Sequence, residues 1–316
     1  EAVCNSAFAE ADQVVRIDVV NNRVILNPME PRGAIGDYDN ETGVYTVYNT
    51  SQIPHRTKTM LADEVFRVAG DKVRVICKDM GGGFGGRGSP YPEYLFVAWC
   101  AKRLGRPIKW ICERSEGFLT DTHGRDNVSH AELALDDEGR FLALRVSTIA
   151  NMGAYPNRLG PMVPVVLGPR VQTTVYTIPV LYSRIRVAYT NTISILPYRG
   201  AGQPEANYLI ERLIELAALK TGIGAIHLRQ RNHIPAASMP YRTPLDLTYD
   251  SGEYDKNLNK AMALADWDGF EARKRETASR GLRRGRGRSG RPSTLCCGRG
   301  GGGCCWQERH LPRCGG

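Results

Sequence analysis

Asp79-Met80-Gly81-Gly82-Gly83-Phe84-Gly85-Gly86-Arg87-Gly88 is the stretch that decides how this chain is read. It follows a strand expected over residues 73–78 and runs into a helix expected over 92–104. Five glycines in six positions permit positive φ and let bare backbone approach a ligand closely. Successive backbone N–H groups beside a helix start also suit anionic oxygens. The enclosed Phe84 and the nearby Arg87 suggest a flat, anionic ligand rather than a plain mobile loop. A second such segment, Pro197-Tyr198-Arg199-Gly200-Ala201-Gly202-Gln203, precedes an amphipathic helix expected over 204–220. That helix has Pro204 near its start and Gly222 just past its end. Arg199 in this loop has three readings: a surface charge, a carbonyl clamp or a catalytic cation.

The rest of the chain alternates strand-like and helix-like stretches. Residues 13–26 read as a β-hairpin turning at Asn21-Asn22, and 44–48 as a strand. Asn27-Pro-Met-Glu-Pro-Arg32 reads as a rigid connection because of its two prolines. The polar corner 49–56 carries Gln52 and His55 and leads to a helix expected over 57–65. Residues 107–111 read as a strand. Residues 113–126, rich in titratable groups, read as a solvated or structural loop, with an acid/base site as the other possibility. Residues 130–136 and 141–150 pattern as paired strands around an Asp137-Glu-Gly139 turn. The proline-rich stretch 151–180 reads as an irregular buried excursion and 184–190 as a strand. Shorter helices are expected at 224–231 and 256–266.

At 316 residues and 42% apolar, the chain can bury one or two cores. No apolar run reaches the length of a membrane span, and no leader is visible, so a cytoplasmic protein is expected. The net charge of +9 does not belong to the body. Residues 280–316 hold nine arginines against one acid, so +8 of it lies there and no nucleic-acid partner is expected for residues 1–279. Cys4, Cys77, Cys100 and Cys112 read as reduced, buried thiols. The tail, rich in Arg, Gly and paired Cys, has no helix or strand period and is expected to be disordered. It reads best as out-of-frame translation of GC-rich coding sequence; a nucleic-acid-binding tail and a metal cluster fit its spacing less well.

The glycine run also matches the dinucleotide pattern G-x-G-x-x-G at Gly83, Gly85 and Gly88. Against that, the preceding strand alternates Val73, Val75 and Cys77 with Arg74, Ile76 and Lys78, whereas a buried parallel strand is apolar on both faces. No clear βαβ unit with a well-placed ribose-binding acid follows.

As a set, Asn27-Pro-Met-Glu-Pro-Arg32, Ser51-Gln-Ile-Pro-His55, Gly81-Gly-Gly-Phe-Gly-Gly86, Asp121-Thr-His-Gly-Arg-Asp126, Tyr198-Arg-Gly-Ala-Gly202, Pro240-Tyr-Arg-Thr243 and Tyr249-Asp-Ser-Gly252 resemble a known family. It is the molybdenum-binding large subunit of the xanthine dehydrogenase/aldehyde oxidase/carbon monoxide dehydrogenase enzymes, in its carbon-monoxide-dehydrogenase-like form. The resemblance covers residues 5–279 and implies an α+β fold, the first molybdopterin-binding domain of such a subunit. It implies a molybdenum–molybdopterin cofactor, as the cytosine dinucleotide, and hydroxylation with water-derived oxygen. Electrons would leave through iron–sulfur and FAD partner subunits.

By resemblance, Gln52 hydrogen-bonds a molybdenum oxo group, and Gly83, Phe84 and Gly85 lie against metal and pterin. Arg199 faces substrate as the catalytic cation, with Gly200 and Ala201 completing its loop. No residue here is assigned as a metal ligand. Gly200 stands where the copper-ligand Cys of carbon monoxide dehydrogenases is expected, and Gly88 where purine hydroxylases carry a Glu. An aldehyde or an N-heterocycle is therefore the expected substrate. The general-base Glu belongs to a second domain beyond residue 316, so a fragment inactive alone is expected. A noncatalytic cofactor-binding or nucleic-acid-binding module is the alternative.

Overall fold

A computed structural model describes residues 1–155, 157, 159–287, 290–291, 303–304 and 309–312. Helix α1 (Ala2–Ala9) leads into strand β1 (Gln13–Asn21), followed by the short β2 (Val24–Ile25). Strands β3 (Gly33–Asp39) and β4 (Val44–Asn49) form a hairpin closed at Gly43, where φ is +72°. Helix α2 (Pro54–Thr59) continues as a wider turn over Met60–Phe66 before β5 (Val73–Ile76). Helix α3 (Pro92–Leu104), β6 (Ile108–Ile111), helix α4 (Arg114–Thr120) and β7 (His123–Gly124) follow.

These pieces build a four-stranded sheet of order β5-β4-β3-β6, with α3 across one face. The helix can lie close because β3 carries Gly36 at the crossing. A Cβ there would sit 2.4 Å from the backbone of Val97 and Ala98. Apolar residues of α3 recur at helical spacing, and Tyr94, Val97, Ala98 and Ala101 are buried against the sheet.

The second sheet has order β1-β8-β9-β10, from β8 (Asn127–Leu135), β9 (Phe141–Gly153) and β10 (Val180–Tyr189). Helix α5 (Gln203–Thr221) packs Leu209, Ile210, Leu213, Ile214 and Ala217 onto Leu133, Leu135, Leu144 and Val146 to form the main core. Its C-terminus closes at Gly222 with φ +73°. On another flank α1 contributes Cys4, buried with Ala134 and Ala143. Helix α6 (Ala225–Asn232), the pair β11 (Tyr241–Arg242) and β12 (Thr248–Tyr249), and helices α7 (Tyr254–Leu264) and α8 (Phe270–Ser279) complete the body. Helices and strands are mixed throughout, as an α+β chain requires.

Three expectations need correction. Residues 13–26 are two strands but not a hairpin: β1 pairs with β8 along its whole length and β2 with β7, so their backbone groups are satisfied by distant strands rather than by each other. Residues 113–126 are not all loop. Glu113 and Glu116 form a reciprocal capping box that starts α4. The helix expected over 57–65 begins earlier, at Pro54, and changes to the wider turn. In the tail, β13 (Leu282–Gly285) pairs with residues 309–312, while most of the stretch expected to be disordered lies outside the described residues. Cys4, Cys77, Cys100 and Cys112 are free thiols; Cys4 and Cys112 are buried, whereas Cys77 and Cys100, expected to be buried, are only half-buried. Among the described residues no helix is long and apolar enough to cross a membrane.

Candidate cofactor site

Strand pairing explains why Gln52 and the glycine run meet. β4 and β5 are parallel neighbours in register Tyr48↔Ile76, so the chains leaving their C-terminal ends emerge at the same edge of the sheet. Gln52 lies on one exit and residues 81–88 on the other. The Gln52 side-chain Oε1 accepts from the Gly85 N–H at 2.9 Å and the Arg87 N–H at 3.2 Å, while its own N–H donates to the Arg87 carbonyl at 3.0 Å. Two backbone donors fix which end of the amide faces the loop. Nε2 is left as its donor, with no partner among the described residues. Gly83 is what allows this contact, since a Cβ there would lie 2.8 Å from the Gln52 Cδ.

The loop is fastened from behind. Glu30 accepts the Gly81 N–H at 2.7 Å and donates its own N–H to the Gly81 carbonyl at 3.2 Å. Arg87 is buried; it donates to the Glu30 carbonyl at 2.8 Å and to the Tyr94 hydroxyl at 3.4 Å. Burial pushes the Tyr94 phenol up to about 12, against the opposing pull of Arg87, so it stays protonated. Two residues from Glu30, buried Arg32 pairs with Asp121 and Glu93, donates to the Thr120 hydroxyl and stacks on Tyr91. Although burial opposes its charge, the two carboxylates hold it firmly protonated.

The second loop closes onto the first. The Arg199 N–H donates to the Phe84 carbonyl at 2.9 Å, and its guanidinium lies 5.9 Å from the centre of the Phe84 ring. Contact is closest at Gly85, where φ is +107° and a Cβ would fall 1.9 Å from the Pro197 carbonyl oxygen. Phe84 (φ +50°), Ala201 (φ +43°), Gly82, Gly200 and Gly202 all take left-handed backbone. Phe84 and Arg199 are exposed. The sequence-stretch residues Gln52, Gly83, Phe84, Gly85 and Arg199 are thus brought together, with Gly200 and Ala201 turning the chain just beyond. His55 makes no contact with this cluster among those described.

The surface so formed suits an anionic, flat group. Among the described residues, the backbone N–H groups of Gly82, Gly83, Phe84, Gly200 and Gly202 have no protein acceptor. Gly82, Phe84 and Gly85 have positive φ, the kind of backbone from which anion-binding N–H arrays are built. Arg199 adds a fixed positive charge and Gln52 an amide donor. No group of three or more His, Cys, Asp or Glu among the described residues is placed to hold a bare metal ion. Arg87, expected beside an anionic ligand, is instead buried and bonded to Glu30 and Tyr94, so it supports the loop from behind; the site residues that sequence reading passed over are Glu30 and Arg125. Their signal was present only as polar residues beside glycine or proline motifs.

Comparison with known proteins shows the family. Residues 2–233 match the family described as molybdopterin cofactor-binding domain. The chain is 32% identical over 271 residues to the 6-hydroxypseudooxynicotine dehydrogenase complex subunit gamma of Paenarthrobacter nicotinovorans, covering 83% of this chain and 33% of that one. It is 32% identical over 275 residues to the carbon monoxide dehydrogenase large chain of Hydrogenophaga pseudoflava, covering 86% and 34%. Quinoline 2-oxidoreductase from Pseudomonas putida 86 superposes with a TM-score of 0.85 at 32% identity, over 90% of this chain and 36% of that one. The chain therefore spans about a third of the length of these relatives. It belongs to the molybdopterin cofactor-binding domain family, within the molybdenum-dependent oxidoreductases of the xanthine dehydrogenase/aldehyde oxidase/carbon monoxide dehydrogenase type.

Proposed function

We propose that this chain supplies the first molybdopterin-binding unit of a molybdenum hydroxylase that oxidises an N-heterocycle or an aldehyde with oxygen taken from water. The observation that carries the proposal is the contact between the two glycine loops, Arg199 N–H to Phe84 carbonyl at 2.9 Å. It gathers a cation, an aromatic ring and a row of free N–H donors on one surface. When bound, the molybdenum–pterin group supplies the two-electron oxidation of a substrate carbon. The chain's own residues bind and orient. Gln52 offers Nε2 to the cofactor because its Oε1 is committed to the loop. Gly83 and Gly85 let Gln52 and the Pro197–Arg199 segment close onto the loop that would face the cofactor, and Phe84 supplies an apolar wall. Arg199 stabilises negative charge developing on the substrate, from a backbone fixed before the substrate arrives. Gly200 and Ala201 turn the chain beside it, with Gly200 packed against the Pro204 ring.

The relatives that bear on substrate are named for 6-hydroxypseudooxynicotine, for quinoline and for carbon monoxide. Gly200, with no thiol to hold copper, favours the organic substrates. The cofactor is proposed to be the cytosine dinucleotide form, the general base to come from outside these residues, and electrons to pass to iron–sulfur and FAD subunits in the cytoplasm. The isolated chain is proposed to be inactive. The test is purification of the complex containing this subunit, with molybdenum analysis and turnover of quinoline, nicotinate, benzaldehyde and carbon monoxide. Arg199→Met should keep molybdenum and lower kcat on the organic substrate by about a hundredfold. Oxidation of carbon monoxide alone, or an Arg199→Met enzyme with unchanged kcat, would overturn the proposal.

A further inference from the structure

Residues 121–126 pack directly behind the Arg199 loop, and their charged groups are spent on holding structure. The His123 carbonyl accepts the Leu196 N–H at 2.8 Å, and the His123 N–H donates to the Ser194 carbonyl at 3.1 Å. Gly124 lies so close that a Cβ would fall 2.5 Å from the Tyr198 Cβ. Asp121 is paired with Arg32, and Asp126 with Arg23 and with the Asn151 amide. This leaves neither carboxylate free for acid/base work.

Arg125 is placed differently. From a left-handed backbone (φ +65°) it sends one guanidinium nitrogen to Glu205 Oε2 at 3.0 Å and another to the Arg199 carbonyl at 3.1 Å. The guanidinium carbon lies over the Tyr198 ring, 5.0 Å from its centre. Only 14% of the Arg125 side chain and 8% of Glu205 are exposed, so the pair is weakly screened by water.

We infer that Arg125 is the positioning residue that sets where Arg199 stands over the glycine loop, with Glu205 as its fixed counter-ion. Arg199 is gripped on both sides of its Cα: its N–H by Phe84 and its carbonyl by Arg125. The stretch that follows, Gly200-Ala201-Gly202, has positive φ throughout and two residues without side chains, so its own stiffness is low. Glu205 sits in the first turn of α5, anchored to the main core, and provides a rigid reference. A planar fork reaching two acceptors while lying over a ring is a task for arginine that lysine cannot do. The inference rests on the molybdenum hydroxylase reading of the site.

The test uses the molybdenum-loaded complex carrying Arg125→Ala, Arg125→Lys or Glu205→Gln, read by steady-state kinetics and by amide hydrogen exchange over residues 197–203. Arg125→Ala should lower kcat/KM by about tenfold to a hundredfold, the loss that follows when a reacting group is misplaced by about 1 Å. Molybdenum content should stay at the wild-type level, and exchange in the loop should rise about tenfold. Added guanidinium ion should restore part of both in Arg125→Ala but not in Arg125→Lys, a signature that general destabilisation does not give. Wild-type loop exchange in Arg125→Ala, or lost turnover with no guanidinium rescue, overturns the inference. If Arg125→Ala does not accumulate, Glu205→Gln must show the same rise in exchange, and its absence there is equally fatal. If the wild-type complex oxidises none of the substrates, the functional proposal falls while the exchange comparison still decides the role of Arg125.

Discussion

Gly85→Ala tests the contact between the two loops most directly. At this residue φ is +107°, and a Cβ would sit 1.9 Å from the Pro197 carbonyl oxygen and 2.8 Å from its carbonyl carbon. Both are backbone atoms, so no side-chain rotation relieves the overlap. Favourable contact with carbon begins near about 3.5 Å, so the loops must part by more than about 1 Å. The residue also takes on backbone strain of about 1–3 kcal/mol, and loss of the Arg199–Phe84 hydrogen bond adds about 1 kcal/mol. Gly43→Ala is the matched control: its φ is +72°, but the nearest atom to a Cβ is the Tyr38 hydroxyl at 3.7 Å. Urea unfolding of the large subunit, with molybdenum per subunit from the same preparations, separates the two. Gly43→Ala should cost only the strain and keep its metal. Gly85→Ala should lose about 2–4 kcal/mol and most of its molybdenum. A Gly85→Ala subunit with full molybdenum and an intact Arg199–Phe84 bond in a crystal structure would refute this reasoning.

The other predictions concern the supports of the site. Gln52→Glu retains an acceptor for the Gly85 and Arg87 N–H groups but loses the amide donor, so stability should hold within about 1 kcal/mol while turnover falls. Gln52→Ala leaves both N–H groups without their acceptor and should cost about 1–3 kcal/mol in the same urea measurement. Arg32→Met strands Asp121 and Glu93 beside a buried apolar side chain; a loss of about 3–5 kcal/mol is expected, recovered in large part by adding Asp121→Asn and Glu93→Gln. For His123, burial first and then neighbouring Arg23 hold the folded imidazole below its ordinary 6.5. The neutral ring is therefore favoured on folding. Its contribution is present above pH 6.5 and is lost as pH falls from there through the lowered folded value. A His123→Asn subunit should show a shallower fall in unfolding midpoint over that interval, and an unchanged slope would remove His123 as the cause.

Local signals carried much of this fold into the sequence. Helices α3 and α5 are marked by apolar spacing, a proline at the start and a glycine just past the end. The β8–β9 hairpin is marked by its Asp-Glu-Gly turn, and the two glycine loops by composition. What stayed hidden was set by partners distant along the chain. β1 and β2 look like a hairpin because Asn21-Asn22 is a good turn, yet their backbone ladders are taken up by β8 and β7. Strand β3 escaped notice because Gly-Ala-Ile-Gly-Asp-Tyr-Asp has poor strand propensity. Gly36 is there to admit the backbone of α3, not to favour a strand. In the site, the glycines and Arg199 announced themselves and Arg87 was visible but took a supporting place, while Glu30 and Arg125 act through bonds to backbone and to partners distant along the chain that leave no local pattern.

The parallel pairing of β4 and β5 also determines where this chain can change length. The long connection between them, through α2 and the turn that follows, runs from one end of the sheet back to the other, and extra residues there cost little closure entropy. One residue added between Tyr48 and Gln52, or between Ile76 and Gly81, would advance that exit by about 3.3 Å and carry Gln52 out of reach of the Gly85 N–H. Insertions and deletions in natural variants should therefore gather before β5 and be rare in the two short exits.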